Sequence, residues 1–176
     1  NDRYICAAIS GGIWISEDRG ATWNIVDEHA PTLSATSITQ SPFNKDLFYY
    51  GTGEPMGNSA DLGGLGLFRS TDGAASFEHL EHTVTTALTG IWSVEHSLTK
   101  DSTIYVGTNA GGLWRSTDGA ESFEEIYSTS NRIHEVQALE NGEIIISVEE
   151  LGLFRIDETT LESTSLLSEG WPTNDV

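Results

Sequence analysis

An internal repeat constrains this chain more than any other feature. Residues 11–26 read GGIWISEDRGATWNIV and residues 65–80 read LGLFRSTDGAASFEHL. Residues 111–126 read GGLWRSTDGAESFEEI and residues 151–166 read LGLFRIDETTLESTSL. The first three share Gly, an aliphatic, an aromatic, Ser, Asp and Gly, with an aromatic 5 residues after the Asp. The fourth keeps Gly-Leu-Phe-Arg. Ile156, Glu158 and Ser163 stand where the others have Ser, Asp and the aromatic.

A second strand-like pattern precedes each copy: YICAAIS (4–10), LFYYGTG (47–53), TIYVGTN (103–109) and EIIISVE (143–149). Three of these follow a further one: ATSITQSP (35–42), GIWSVEHS (90–97) and RIHEVQAL (132–139). The unit is therefore four short strands, A to D, with D beginning at Trp23, Phe77 or Phe123. The marker acids Asp18, Asp72, Asp118 and Glu158 lie 54, 46 and 40 residues apart. Four strands in about 40–50 residues identify a β-propeller blade. One such blade cannot bury both faces alone, so blades stack side by side. The fold class expected is all-β: about four four-stranded blades, as part of a larger ring. A small closed ring is the alternative. The blades span about 1–28 (strands B to D only), 29–83, 84–128 and 129–168, and 169–176 starts a further strand A.

SEDRGATW at 16–23 resembles the Asp-box, or BNR repeat, of pattern S-x-D-x-G-x-T-W. STDGAASF (70–77) and STDGAESF (116–123) are close variants, with the Gly one place earlier. The resemblance assigns structural roles to Ser16, Asp18, Gly20 and Trp23. It assigns the same roles to Ser70, Asp72, Gly73 and Phe77, and to Ser116, Asp118, Gly119 and Phe123. Ser and Asp oxygens accept from turn amides that the ladder leaves free. Gly takes a left-handed backbone angle, and Ala at the fifth place costs about 1 kcal/mol if that angle is needed there. The aromatic packs back over the turn. None of these positions reads as catalytic. Asp-box propellers are similar to sialidases, xyloglucan-cleaving glycosidases, sortilin-type receptors and a photosystem assembly factor. This chain looks nearest to secreted Bacteroidetes propeller proteins. The resemblance implies the fold and leaves the function open.

Charge narrows the partners. With 27 Asp plus Glu against 8 Lys plus Arg, the formal net charge is −19. No basic stripe is available for nucleic acid, and an anionic membrane surface is equally disfavoured. No run of about 18 apolar residues could span a bilayer. Cys6 has no partner for an internal disulfide, and its flanks Ile5, Ala7 and Ala8 suggest a buried apolar filler. The acidic stretch Glu140, Glu143, Glu149, Glu150, Asp157, Glu158 and Glu162 reads as a solvated edge.

One B–C loop stands out. Between Gly51 and Gly66 the chain reads TGEPMGNSADLGGL, 10 residues longer than its equivalent after Gly107. Long polar loops carry function more often than short ones. Glu54, Asn58 and Asp61 are the candidate ligand-binding residues, and they could supply oxygen ligands to a calcium ion. No other cofactor is expected. A glycosidase needs a pair of spaced carboxylates, one with a raised pKa, and 27 acids make pairs unavoidable. A sialidase would need three arginines converging on a substrate carboxylate. Arg69, Arg115 and Arg155 share one strand C register, which reads as repeat structure. FRID at 154–157 is only superficially similar to the sialidase F/Y-R-I-P motif. His29, His79, His82, His96 and His134 do not cluster as metal ligands, and His79 and His82 fall on one strand D.

The function expected is non-catalytic: an extracellular or cell-surface bacterial propeller that binds or scaffolds a glycan or protein ligand. Its other partners would be the remaining blades of a longer parent chain. The alternative is a glycoside hydrolase, sialidase-like or xyloglucanase-like, whose carboxylates lie partly outside this segment. A peptide-capturing receptor propeller is a third reading.

Overall fold

A computed structural model describes residues 2–53 and 62–167. Its strands form four antiparallel sheets, each a meander in chain order. The first holds β1 (Tyr4–Ala8), β2 (Gly12–Ser16) and β3 (Asn24–Ile25). The second holds β4 (Ala35–Gln40), β5 (Phe48–Thr52), β6 (Leu67–Ser70) and β7 (Glu78–His79). The third holds β8 (Ile91–His96), β9 (Ile104–Thr108), β10 (Leu113–Ser116) and β11 (Glu124–Tyr127). The fourth holds β12 (Ile133–Ala138), β13 (Glu143–Val148), β14 (Gly152–Asp157) and β15 (Ser163–Ser165). The strands are rich in β-branched and aromatic residues, which fit a pleated, packed surface. Every residue of β5 and β9 is buried, because neighbouring sheets cover both faces.

Three apolar cores lie between successive sheets. Ile13, Ala35, Tyr50 and Phe68 join the first to the second. Tyr49, Leu67, Ile91, Val94 and Ile104 join the second to the third. Tyr105, Leu113, Ile133, Val136 and Ile144 join the third to the fourth. Each large aliphatic side chain so buried contributes about 1.5–3 kcal/mol. Polar reach adds direction to this packing. The Tyr49 hydroxyl donates to the Gly119 carbonyl at 3.1 Å, and Arg115 Nη1 donates to the Glu158 carbonyl at 3.0 Å. A tyrosine or an arginine of one sheet thus clasps the C–D turn of the next.

Those C–D turns are built alike in the first three sheets. Ser70 Oγ donates to Asp72 Oδ1 at 2.8 Å and accepts from the Ala74 amide at 2.9 Å. Asp72 then accepts from the Ser76 amide at 3.0 Å and the Ser76 hydroxyl at 2.6 Å. Ser16, Asp18 and Thr22 repeat this pattern, as do Ser116, Asp118 and Ser122. Two consecutive residues take positive φ: Arg19 and Gly20 (61° and 88°), Gly73 and Ala74 (73° and 64°), Gly119 and Ala120 (75° and 74°). Ala74 and Ala120 are fully buried, so methyl burial offsets much of their strain.

The donors hold Asp72 and Asp118 at a pKa of about 2, the Ser76 and Ser122 hydroxyls having the largest effect. For Asp18 the Thr22 amide has the largest effect, with the same result of about 2. A folded-state pKa below the unfolded 3.8 stabilises above that pH, and the gain is lost as pH falls through about 2. Asp72→Ala should therefore lower stability by about 1–2 kcal/mol at pH 7 through lost turn hydrogen bonds. The gap to wild type should shrink as pH falls from 3.8 towards 2. Urea melts at pH 7 and near that lower limit check this; equal midpoints at pH 7 would remove the turn from the stability account.

The structure corrects four local expectations. Cys6 is exposed, not buried. It alternates with Ile5 and Ala7, and shares the uncovered face of the first sheet with Tyr4, itself exposed. Trp23, Phe77 and Phe123 precede β3, β7 and β11 by one residue instead of opening them. His82 leaves strand D altogether and sits in a 3-10 turn, Glu81–Thr83, with Nε2 at 2.7 Å from the Ala120 carbonyl. Finally, Glu158 is no solvated-edge acid. In the fourth turn Asp157 accepts from the Thr159 and Thr160 amides, and Glu158 is only 3% exposed between the third and fourth sheets.

Candidate functional site

The first strands of the second, third and fourth sheets, β4, β8 and β12, lie side by side where the sheets converge. Individual amides of β8 and β12 donate to hydroxyls of the preceding sheet. Ser37 Oγ accepts from the Val94 amide at 3.0 Å, and Ser93 Oγ from the Val136 amide at 3.2 Å. Each strand also skips one residue in its ladder, at Thr36, Trp92 and His134. A bulge re-aims the extra side chain away from the regular alternation. Three such side chains therefore sit at one register of three adjacent strands. The Trp92 and His134 rings meet with centroids 4.6 Å apart, tilted by 58°. His134 Nε2 is 3.8 Å from Glu149 Oε1, which Arg132 Nη1 holds at 3.2 Å.

This end of the inner strands also gathers unpaired polar atoms. Among the described residues eight buried side-chain N or O atoms lack a hydrogen-bond partner. Four of them are Ser34 Oγ, Thr36 Oγ1, Trp92 Nε1 and Asn109 Oδ1. Ser34 precedes β4, and its carbonyl accepts from the Gly53 amide at 3.2 Å. Asn109 follows β9, and its amide donates to the Gly90 carbonyl at 2.7 Å, next to β8. Buried polar groups are nearly always paired, so a cluster of orphans calls for a ligand or ordered water.

Glu54, Asn58 and Asp61, the ligand-binding residues expected from sequence, lie outside the described residues. The stem of their loop is described. A Cβ on Gly53 or Gly64 would stand 2.6 or 2.0 Å from the Thr89 carbonyl oxygen. Only glycine lets both arms press against Thr89, so the loop leaves the sheet three residues ahead of Trp92 in the neighbouring strand entry. Among the described residues no three His, Cys, Asp or Glu side chains cluster as metal ligands.

Further along the same strands, Glu95 lies between Thr39 and Gln137. Gln137 Nε2 donates to Glu95 Oε1 at 3.3 Å and Thr39 Oγ1 to Oε2 at 3.5 Å. Burial pushes the Glu95 carboxyl up to about 7 and nearby Glu135 adds to the rise, against the Ala138 amide and Thr39. A carboxyl titrating near neutrality can donate a proton as a general acid. No sequence signal distinguished Glu95 among the acids, whereas its position on β8 does. The strand C arginines do not converge. Arg69 pairs with Glu78 and Glu121, Arg115 with Glu124, and Arg155 with Glu143.

No protein-family model and no curated protein matches the sequence. Solved structures do match. A GH74 xyloglucanase from Xanthomonas campestris superposes with a TM-score of 0.71 at 13% identity, over 94% of this chain and 29% of that one. The extracellular domain of a hybrid two-component system from B. thetaiotaomicron gives 0.71 at 18% identity, over 93% of this chain and 22% of that one. These sheets are β-propeller blades. A further propeller match is YCF48 bound to D1 peptide, with a TM-score of 0.51 at 12% identity, over 93% of this chain and 64% of that one. At such identities the likeness shows the fold alone. The chain spans under a third of the first two structures. Among the described residues no helix is long and apolar enough to cross a membrane.

Proposed function

We propose that these blades belong to an extracellular bacterial propeller that binds a glycan or protein ligand without turning it over. The observation that carries this reading is the aligned set of bulges at Thr36, Trp92 and His134, which presents an aromatic pair beside unpaired polar groups. The described stem of the loop that carries Glu54, Asn58 and Asp61 in sequence leaves beside this rim, and these three residues are proposed as further ligand contacts. A calcium ion held by them would make binding sensitive to chelation. The rest of a longer parent chain would supply the adjoining blades. Matched propellers include an enzyme, a sensor's extracellular domain and a peptide complex, so the fold accommodates binding as readily as hydrolysis.

A second reading rests on Glu95. Its raised pKa and inner position suit the acid of a glycoside hydrolase, with Glu135 the nearby carboxylate. The test is a panel of polysaccharides and sialylated glycans over immobilised protein, assayed for retention and for new reducing ends. Retention without release above a heat-inactivated control is expected. Release that Glu95→Gln abolishes would establish the hydrolase instead. Neither retention nor release would shift the ligand to a protein.

A further inference from the structure

We propose, resting on the binding reading above, that the inner rim takes an uncharged sugar ring, a hexopyranosyl unit, seated against Trp92 and His134 and hydrogen-bonded by Trp92, Thr36 and Asn109. The chemistry of the unpaired atoms selects this class. Trp92 Nε1 only donates, Asn109 Oδ1 accepts, and the Thr36 hydroxyl does both. A sugar hydroxyl both donates and accepts, so neighbouring hydroxyls of one ring can answer all three. The aromatic pair at 4.6 Å supplies the apolar surface against which the C–H face of a pyranose packs.

Charge argues the same way. The unpaired atoms of Thr36, Trp92 and Asn109 are all neutral, and Arg132, two residues from His134, is already engaged by Glu149 at 3.2 Å. An anionic ligand would find no free positive group there and would meet a protein of formal charge −19. A cationic ligand would have to compete with Arg132 for Glu149. Thr36, Trp92 and Asn109 are each partly exposed although their unpaired atoms are shielded, and His134 beside them is also partly exposed. Those side chains must rotate to bring the shielded atoms onto a ligand. The regular ladder could not do this. Without the bulges, positions 36, 92 and 134 would face an adjoining sheet.

The test titrates cellotetraose, maltotetraose and mannotetraose into the 15N-labelled chain and follows the indole N–H signals of its five tryptophans. At least one of these neutral sugars should bind and move the Trp92 indole signal. Trp92→Phe keeps an aromatic ring and removes the N–H; it should weaken that binding about five- to tenfold with the melting temperature unchanged. Asn109→Ala should weaken it comparably. A sugar that binds without moving the Trp92 signal, or with undiminished affinity in Trp92→Phe, would overturn the proposed seat while leaving a binding module. Binding of tetralysine or of sialylated glycans in place of the neutral sugars would overturn the ligand class and spare the binding reading. If no glycan and no protein ligand is retained in the broader panel either, both readings fall.

Discussion

Glu158→Ala should lower the free energy of unfolding by about 3 kcal/mol, because it leaves unsatisfied the buried hydroxyls that bond its carboxylate. Glu158 is 3% exposed, yet it carries a carboxylate. Ser97 Oγ and the Tyr105 hydroxyl donate to its Oε2 at 2.9 Å each, Thr99 Oγ1 donates to Oε1, and Lys100 Nζ stands 3.5 Å from Oε1. Burial alone would raise its pKa, but these donors outweigh burial and hold it below the ordinary 4.5. All four donors belong to the third sheet, while Glu158 belongs to the turn of the fourth. Truncation would strand buried hydroxyls on one side and open a hole on the other. Glu158→Gln keeps one acceptor oxygen and should cost about half as much. Because the folded pKa is lowered, the wild-type advantage exists above pH 4.5 and fades below it. Urea unfolding of both variants at pH 7 measures this. An Ala variant as stable as wild type would show that the clasp is incidental.

The same residue shows where sequence reading stops. The internal repeat located the strands of all four sheets to within a residue or two, because the apolar pattern and the aromatic marks recur in register. The turn chemistry of Asp18, Asp72 and Asp118 was equally open to reading, since those side chains bond within a few residues of themselves. Glu158 bonds to Ser97, about 60 residues away, and nothing local separates it from the exposed acids beside it. The bulges at Thr36, Trp92 and His134 are hidden for a related reason. A bulge is a relation between two strands, and ATSITQ or IWSVEH alone carries no mark of it. Glu95 needed the strand on either side before its burial could be seen. The long loop after Gly51 was visible by length, and its stem glycines have a reason in the Thr89 carbonyl.

Gly51→Ala should be nearly as damaging as losing Glu158, and by the opposite route. Gly51 lies on β5, in ladder with Ser37 and Leu67, and packs against the third sheet. A Cβ there would lie 2.3 Å from Ile91 Cγ2 and 2.9 Å from Ile91 Cβ, distances that real side chains do not tolerate. Ile91 is fully buried and cannot swing clear. The two sheets must then separate, and adding one methyl to so tight a contact costs about 3 kcal/mol, the upper part of the usual range for overpacking. Ile91→Ala costs about 2–5 kcal/mol alone by leaving a cavity. In the double variant the new methyl occupies part of that cavity, so the loss should fall short of the sum by about 1–2 kcal/mol. Gly107→Ala tests the same rule one sheet on. Its Cβ would stand 2.8 Å from Ile133 Cγ2 and 3.0 Å from both the Ile133 carbonyl oxygen and Val136 Cγ2, and the longer closest approach predicts a smaller loss than at Gly51. Chemical denaturation of the four variants and wild type decides this. Additive losses, or a Gly107 variant weaker than the Gly51 one, would mean that the approach of successive blades is not what fixes glycine at these positions.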